Sequence, residues 1–174
     1  MVVLNKIHIQ YLKLPKAELI LGSFEGKLCL CDFRYRRMRK SVDERIQQGL
    51  NATFNKRSNE VLELSKVQLR EYWSGSRQKF DMPLLTVGTE FQKKVWQSLL
   101  DIPYSETISY LELAKAIENR EAVRAVGRAN GANALAIIIP CHRVIASDGS
   151  LGGYGGGLPL KEHLLALEKN YCLF

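Results

Sequence analysis

Cysteine and histidine stand side by side once in the chain, in the run Ile138-Ile139-Pro140-Cys141-His142-Arg143-Val144-Ile145. A free thiol has a pKa of about 8.5, so at neutral pH it becomes a good nucleophile only beside a base or a positive field. Pro140 cannot donate to a strand ladder, so regular pairing of an apolar strand breaks just before Cys141, and a thiol at such a break can face a pocket. In an extended segment neighbouring side chains point to opposite faces. Direct contact between Cys141 and His142 is then awkward, and a bridging water is the expected proton route. A histidine base usually has a carboxylate partner that sets its tautomer, and Glu168 on the final helix is the candidate. The competing reading of any lone cysteine is an inert buried side chain.

The elements around this segment can be read from periodicity and caps. Residues 7–9 with 11–12, 19–21 and 28–33 have the apolar content of short strands, the last one buried in an antiparallel sheet. Ser41-Val42-Asp43-Glu44 has capping-box spacing, which predicts a short helix starting there. A stronger helix is expected from Val61 to Trp73, ended by Gly75 and followed by a polar linker over 74–83. The domain boundary falls near residues 76–88. In the second half, Thr89-Glu90-Phe91-Gln92 and Ser109-Tyr110-Leu111-Glu112 are two further capping boxes. The first opens a helix with Phe91, Val95, Trp96, Leu99 and Leu100 on one face, and the second a helix through Ile117. A third helix carries Ala122, Val123, Val126 and Ala129 inward and closes near Gly131. The last two helices, joined by about three residues, make a helix-turn-helix.

The second helix of that pair is unusual. Arg124 and Arg128 share an outer face, while Ala125, Gly127 and Ala129 leave the remaining surface nearly flat. A glycine inside a helix costs about 1 kcal/mol relative to alanine, so Gly127 points to close approach by another surface. DNA binding and a plain structural helix pair with exposed arginines both fit, because side chains long enough to read a major groove are scarce. Residues 149–157 hold six glycines around Tyr154. Without Gly-Lys-Ser/Thr this is no P-loop, and on its own it reads as a connector.

The run from Pro140 to Val144 resembles the alkyl-acceptor motif of the alkylguanine-DNA alkyltransferases, the methylated-DNA–protein-cysteine S-methyltransferases. The match extends through Gly88-Thr89-Glu90-Phe91-Gln92, Val95-Trp96, Tyr110, Arg124-Ala125-Val126-Gly127, Asn130, Asn133, Gly152 with Tyr154, and Leu164 to Glu168, in order and spacing. It covers residues 88–168. The N-terminal half matches only in general layout. The expected architecture is α+β: a small N-terminal antiparallel sheet with helices in an RNase H-like layout over 1–80, then a mainly helical domain with the helix-turn-helix over 88–174.

The resemblance implies a single-use DNA repair reaction on double-stranded DNA containing alkylated guanine. Cys141 as thiolate would take the alkyl group from guanine O6, and thymine O4 is a further implied substrate. His142 would accept the thiol proton through water, Glu168 would hold His142, and Tyr110 would donate a proton to the departing guanine. Asn133 would bond the backbone around the cysteine. The target base must leave the stack, and Arg124 is placed like the family's arginine finger, with Arg128, Ala125 and Gly127 on the same minor-groove helix. Carbonyls of Cys141 and Val144 would read the guanine amine, while Ser147, Gly152, Tyr154 and Gly155 belong to the pocket wall. The glycines outside the wall are read as hinges. No cofactor is implied. Two other readings stay open: a non-catalytic lesion-recognition protein, which typically lacks the acceptor cysteine, and a regulator that senses alkylation.

Composition sets the frame. The chain has 174 residues, 46% hydrophobic and 25% charged, which excludes disordered, collagen-like and coiled-coil classes. Its longest apolar run, Ala134 to Ile139, is far short of a membrane span, and Met1 to Lys6 lacks the features of a signal peptide. A cytoplasmic monomer without membrane association is expected. Four cysteines are too few and too unevenly placed for a disulfide scaffold, so the compartment reads as reducing. Cys29, Cys31 and Cys172 read as bystanders and His163 as a helix-surface residue. No metal site is expected, since only His8 could join Cys29 and Cys31 and a structural zinc needs four ligands. The net charge of +7 makes a polyanion a reasonable partner. It is uneven: residues 1–87 hold 16 Lys and Arg against 9 Asp and Glu, whereas residues 88–174 hold 9 against 9. Most of the excess is Arg34, Arg36, Arg37, Arg39 and Lys40, either a phosphate-contacting patch or a solvated turn.

Overall fold

The computed structural model describes residues 5–171, so the N-terminal Met1-Val-Val-Leu and Cys172 lie outside the described residues. Two compact units divide between Gly88 and Thr89. The first is built on a four-stranded sheet in the order β3-β2-β1-β4, from β1 (Asn5–Leu14), β2 (Ala17–Phe24), β3 (Lys27–Phe33) and β4 (Ala52–Lys56). Strands β1 to β3 form an antiparallel meander. The β2–β3 turn uses Glu25 and Gly26, both at positive φ, the geometry that matches the right-handed strand twist. This meander is the expected antiparallel sheet, and β4 extends it by joining β1 in parallel. The chain returns to that edge through α1 (Arg39–Leu50), and α2 (Glu60–Trp73) follows β4.

Several local readings change. Helix α1 starts before Ser41, with Met38 at its N-cap and no side-chain cap. Arg39 sets this start, bonding Asp32 at 2.8 Å and Asp43 at 2.8 Å. Arg36 also pairs with the wholly buried Asp32, at 2.9 Å, and Arg34 lies against Glu18 and over the Tyr11 ring. Three members of the basic cluster are thus committed to carboxylates of their own unit, leaving Arg37 and Lys40 exposed. On α2, capped by Asn59, Leu64 and Val67 are exposed while Ser65 and Gln68 are buried. The end of the expected polar linker over 74–83 is seated on the edge of β3, where the Leu28 N–H donates to the Pro83 carbonyl and the Leu28 carbonyl accepts from the Leu85 N–H. Cys29 and Cys31 are buried in β3, and burial pushes the Cys29 thiol up to about 12. No helix among the described residues is long and apolar enough to cross a membrane.

The second unit contains α3 (Glu90–Leu99), β5 (Ile108–Ser109), α4 (Tyr110–Ala116), α5 (Val123–Gly131), β6 (Val144–Ile145) and α6 (Leu158–Tyr171). Both capping boxes form, Thr89 with Gln92 and Ser109 with Glu112. Val95, Trp96 and Leu99 of α3 are buried, and the Trp96 indole donates to the Ala129 carbonyl of α5 at 2.8 Å. Leu100, expected on that face, is exposed at the helix end. Helices α4 and α5 are joined by Glu118 at positive φ and a short 3-10 turn, Arg120–Ala122.

Candidate active site

The segment before Cys141 is a tight turn, which corrects the expected apolar strand. Ile137 sits at φ 73°, a conformation costly for a β-branched residue. Two bonds from Asn133 help to hold it: the side-chain amide donates to the Ile139 carbonyl at 2.8 Å, and its oxygen accepts from the Leu135 N–H at 2.9 Å. Cys141, His142 and Arg143 then form one 3-10 turn in place of extended backbone. With three residues per turn, Cys141 and His142 diverge by roughly 120°. The Cys141 carbonyl accepts from the buried Asn130 side chain at 3.4 Å.

His142 and Glu168 are both wholly buried, and His142 Nε2 lies 2.7 Å from Glu168 Oε1. Arg143 donates to both oxygens of the same carboxylate, each at 3.0 Å, and to the Ile102 carbonyl at 2.6 Å. The Ser105 N–H adds a further bond to Glu168 at 3.0 Å. Burial pushes the carboxyl up, yet the bonds and charges of His142 and Arg143 outweigh it and hold the group at about 2. Burial also lowers His142, against the pull of Glu168, so the imidazole is neutral near pH 7. With Nε2 bonded to the carboxylate, Nδ1 is the nitrogen that can take up a proton.

Tyr110 is brought to the same place by the two-residue parallel sheet, in which Ile108 pairs with Val144 and Ser109 with Ile145. Its ring lies between α5 and the glycine stretch. Gly152 is at φ 68°, a conformation that favours glycine, and a Cβ there would sit 3.1 Å from Tyr110 Oη and crowd the ring. At Gly127 a Cβ would be 3.8 Å from the ring, an ordinary contact. Space within the unit therefore does not demand that glycine. Burial raises the Tyr110 pKa, Cys141 adds to the rise, and a hydrogen bond with Asn130 opposes both.

The remaining expected residues divide by position. Arg124, Ala125 and Arg128 line the exposed face of α5, while Val126, Ala129 and Asn130 face inward; Ala122 and Val123 are only half-buried. Ser147 is exposed in a turn closed by the Gly149 N–H to the Ala146 carbonyl. Tyr154 and Gly155 are half-buried, as is His163, which was expected at the surface. Arg143, Ser105 and Lys161 were not anticipated. A signal existed for one of them: Lys161 follows Leu160 and precedes Leu164, Leu167 and Glu168 on the buried face of α6.

Fold and site together define an α+β protein whose second unit joins an exposed two-helix motif to a buried cysteine–histidine–glutamate arrangement. Residues 90–170 match the family model described as 6-O-methylguanine DNA methyltransferase, DNA binding domain. A methylated-DNA–protein-cysteine methyltransferase from Methanosarcina barkeri is 56% identical over 103 residues, which cover 59% of this chain and 65% of that protein. The O6-methylguanine methyltransferase of Mycobacterium tuberculosis is similar along nearly its whole length: 38% identity, 95% of this chain, 94% of that one and a TM-score of 0.78. The same tuberculosis protein in complex with DNA gives a TM-score of 0.81 at 38% identity, covering 94% of each chain. The chain belongs to the methylated-DNA–protein-cysteine methyltransferase family.

Proposed function

We propose that the protein repairs DNA by direct reversal, moving an alkyl group from guanine O6, and from thymine O4, irreversibly to Cys141. The observation that carries this reading is the buried His142–Glu168 pair one residue from Cys141, a cysteine that is 6% exposed. The Cys141 proton passes to His142 Nδ1 through solvent, and the imidazolium that forms is stabilised by Glu168. The thiolate attacks the alkyl carbon, so the S–C bond forms as the C–O6 bond breaks, and Tyr110 supplies a proton to the departing guanine. The product is a thioether, which thiol exchange does not reverse. One protein therefore acts once, and no cofactor takes part.

The target base is flipped from double-stranded DNA into the pocket between the acceptor segment and the 149–157 loop. Arg124 fills the gap in the stack, while Ala125, Gly127 and Arg128 lie along the minor groove. Asn133 acts indirectly, through the turn that presents Cys141. The carbonyls of Cys141 and Val144 accept from the guanine amine, and Ser147, Gly152, Tyr154 and Gly155 form the opposite wall. We place this activity in a cytoplasmic monomer, with residues 1–80 as an α/β domain and 88–174 as the DNA-binding and acceptor domain.

The test is stoichiometry. Duplex DNA carrying labelled O6-methylguanine should transfer one methyl per protein, recovered on Cys141 by peptide mass. Cys141→Ala should bind the duplex with unchanged affinity and transfer nothing. Sustained turnover, or label elsewhere, would overturn the proposal.

A further inference from the structure

Lys161 is wholly buried, which is rare for lysine. Its ammonium donates to the Val144 carbonyl at 2.6 Å, to the Gly153 carbonyl at 3.3 Å and to the Leu151 carbonyl. Val144 follows directly on the acceptor turn, whereas Leu151 and Gly153 flank Gly152 in the glycine loop. One cation on α6 therefore gathers backbone from both walls of the pocket, and uses its three N–H donors to do so. Gly152, between the two loop anchors, packs against Tyr110, with 3.1 Å from its hypothetical Cβ to Tyr110 Oη.

We infer that Lys161 is a positioning residue: its ammonium holds the 149–157 loop against the acceptor segment and so fixes the wall that carries Gly152 and Tyr154. The inference rests on the alkyl-transfer reading for what the wall does, but not for how it is held. Neutral substitutes fail on donor count, since no uncharged side chain of this length presents three donors. Burial lowers the Lys161 pKa to about 8, with Cys141 pulling it back up, so the latch is charged at neutral pH and loses its charge just above it. The titratable neighbour that opposes burial is Cys141, and His142 on the same turn feels the Lys161 charge. Glu168, on the same helix, is committed to His142 and Arg143.

The experiment compares wild type, Lys161→Met and Lys161→Arg. Amide hydrogen exchange in the resting protein should show protection of residues 151–156 reduced at least tenfold in Lys161→Met and restored to within threefold in Lys161→Arg. In single-turnover transfer, the half-saturating concentration of methylated duplex should rise at least tenfold in Lys161→Met. Alkylation of Cys141 by iodoacetamide, which needs no pocket wall, should change less than threefold. Unchanged loop protection overturns the inference, and so does a parallel fall in transfer and iodoacetamide rates, which would place the charge's effect on the thiolate. Should Lys161→Met not fold, the wild type still decides. Its loop protection factors should fall between pH 7 and 9 in step with the Lys161 side-chain NMR titration, and constant protection through that titration overturns the latch. Failure of methyl transfer by the wild type would remove the reaction and leave these exchange measurements standing.

Discussion

Glu168 is the residue on which the site's electrostatics converge, because four donor groups from His142, Arg143 and Ser105 meet one carboxylate. Removing a single partner from such a buried ion pair costs about 3–5 kcal/mol, since it strands the opposite charge. Glu168→Gln should therefore lower stability by about that amount in chemical denaturation, and should slow methyl transfer sharply by loosening His142. The pH dependence follows with a definite sign. A carboxyl held at about 2 when folded, against 4.5 unfolded, contributes about 3 kcal/mol that is present in full above the unfolded value. That contribution drains away as pH falls from 4.5 toward 2. His142 acts in the same direction, because burial holds its folded pKa below the ordinary histidine value and the unfolded chain takes the proton first. Unfolding free energies measured from pH 7 to 3 should decline for wild type and decline less steeply for Glu168→Gln. Equal slopes would mean the carboxylate is not the titrating group.

Elements were legible in the sequence wherever a side chain makes a local bond that fixes the backbone. Thr89 and Ser109 each face a Gln or Glu three residues on, and both boxes close as the spacing predicts. Ser41 has the same spacing, but Arg39 reaches Asp32 and Asp43, seven and four residues away, and the helix starts before Ser41; these ion pairs outweigh the cap there. Strand β4 was hidden because five residues, mostly polar or half-buried, carry no alternation, and its partner lies far away in sequence. The pairing of His142 with Glu168 beside Cys141 was readable from residue type. The 3-10 turn was not, because it depends on Asn133 bonding backbone six residues away and on Ile137 accepting positive φ. The glycine loop offers a test at this scale. Gly152→Ala meets both an unfavourable φ and Tyr110, whereas Gly153 has open space and an exposed position. Gly152→Ala should cut the transfer rate at least tenfold by displacing Tyr110, with a melting-temperature loss of only a few degrees, and Gly153→Ala should leave both unchanged. Matching effects from the two substitutions would dissociate the loop from Tyr110.

Over the whole chain the charge is unevenly placed, and the structure alters what that means for DNA. The excess of +7 belongs to residues 1–87 with Glu18, Asp32 and Asp43 already counted, and pairing with those carboxylates takes Arg34, Arg36 and Arg39, though not the net charge, away from phosphates. Residues 88–174 balance at zero and expose Arg124 and Arg128 on α5. Each phosphate neutralised by Lys or Arg on duplex DNA contributes about −0.9 to the slope of log affinity against log salt. Two or three such contacts from the second unit give a slope of about −2 to −3, well short of a strongly basic binder. Replacing Arg124 and Arg128 together by alanine should bring the slope up by about 2. Replacing the exposed pair Arg37 and Lys40 should leave it where it was. A wild-type slope of about −5 or steeper, relieved by the Arg37 and Lys40 substitutions, would instead put the first unit on the phosphates. Titrations of one duplex from 50 to 300 mM salt distinguish the two outcomes, because the predicted slopes differ by about 2 or more, as much as either pair of cations contributes.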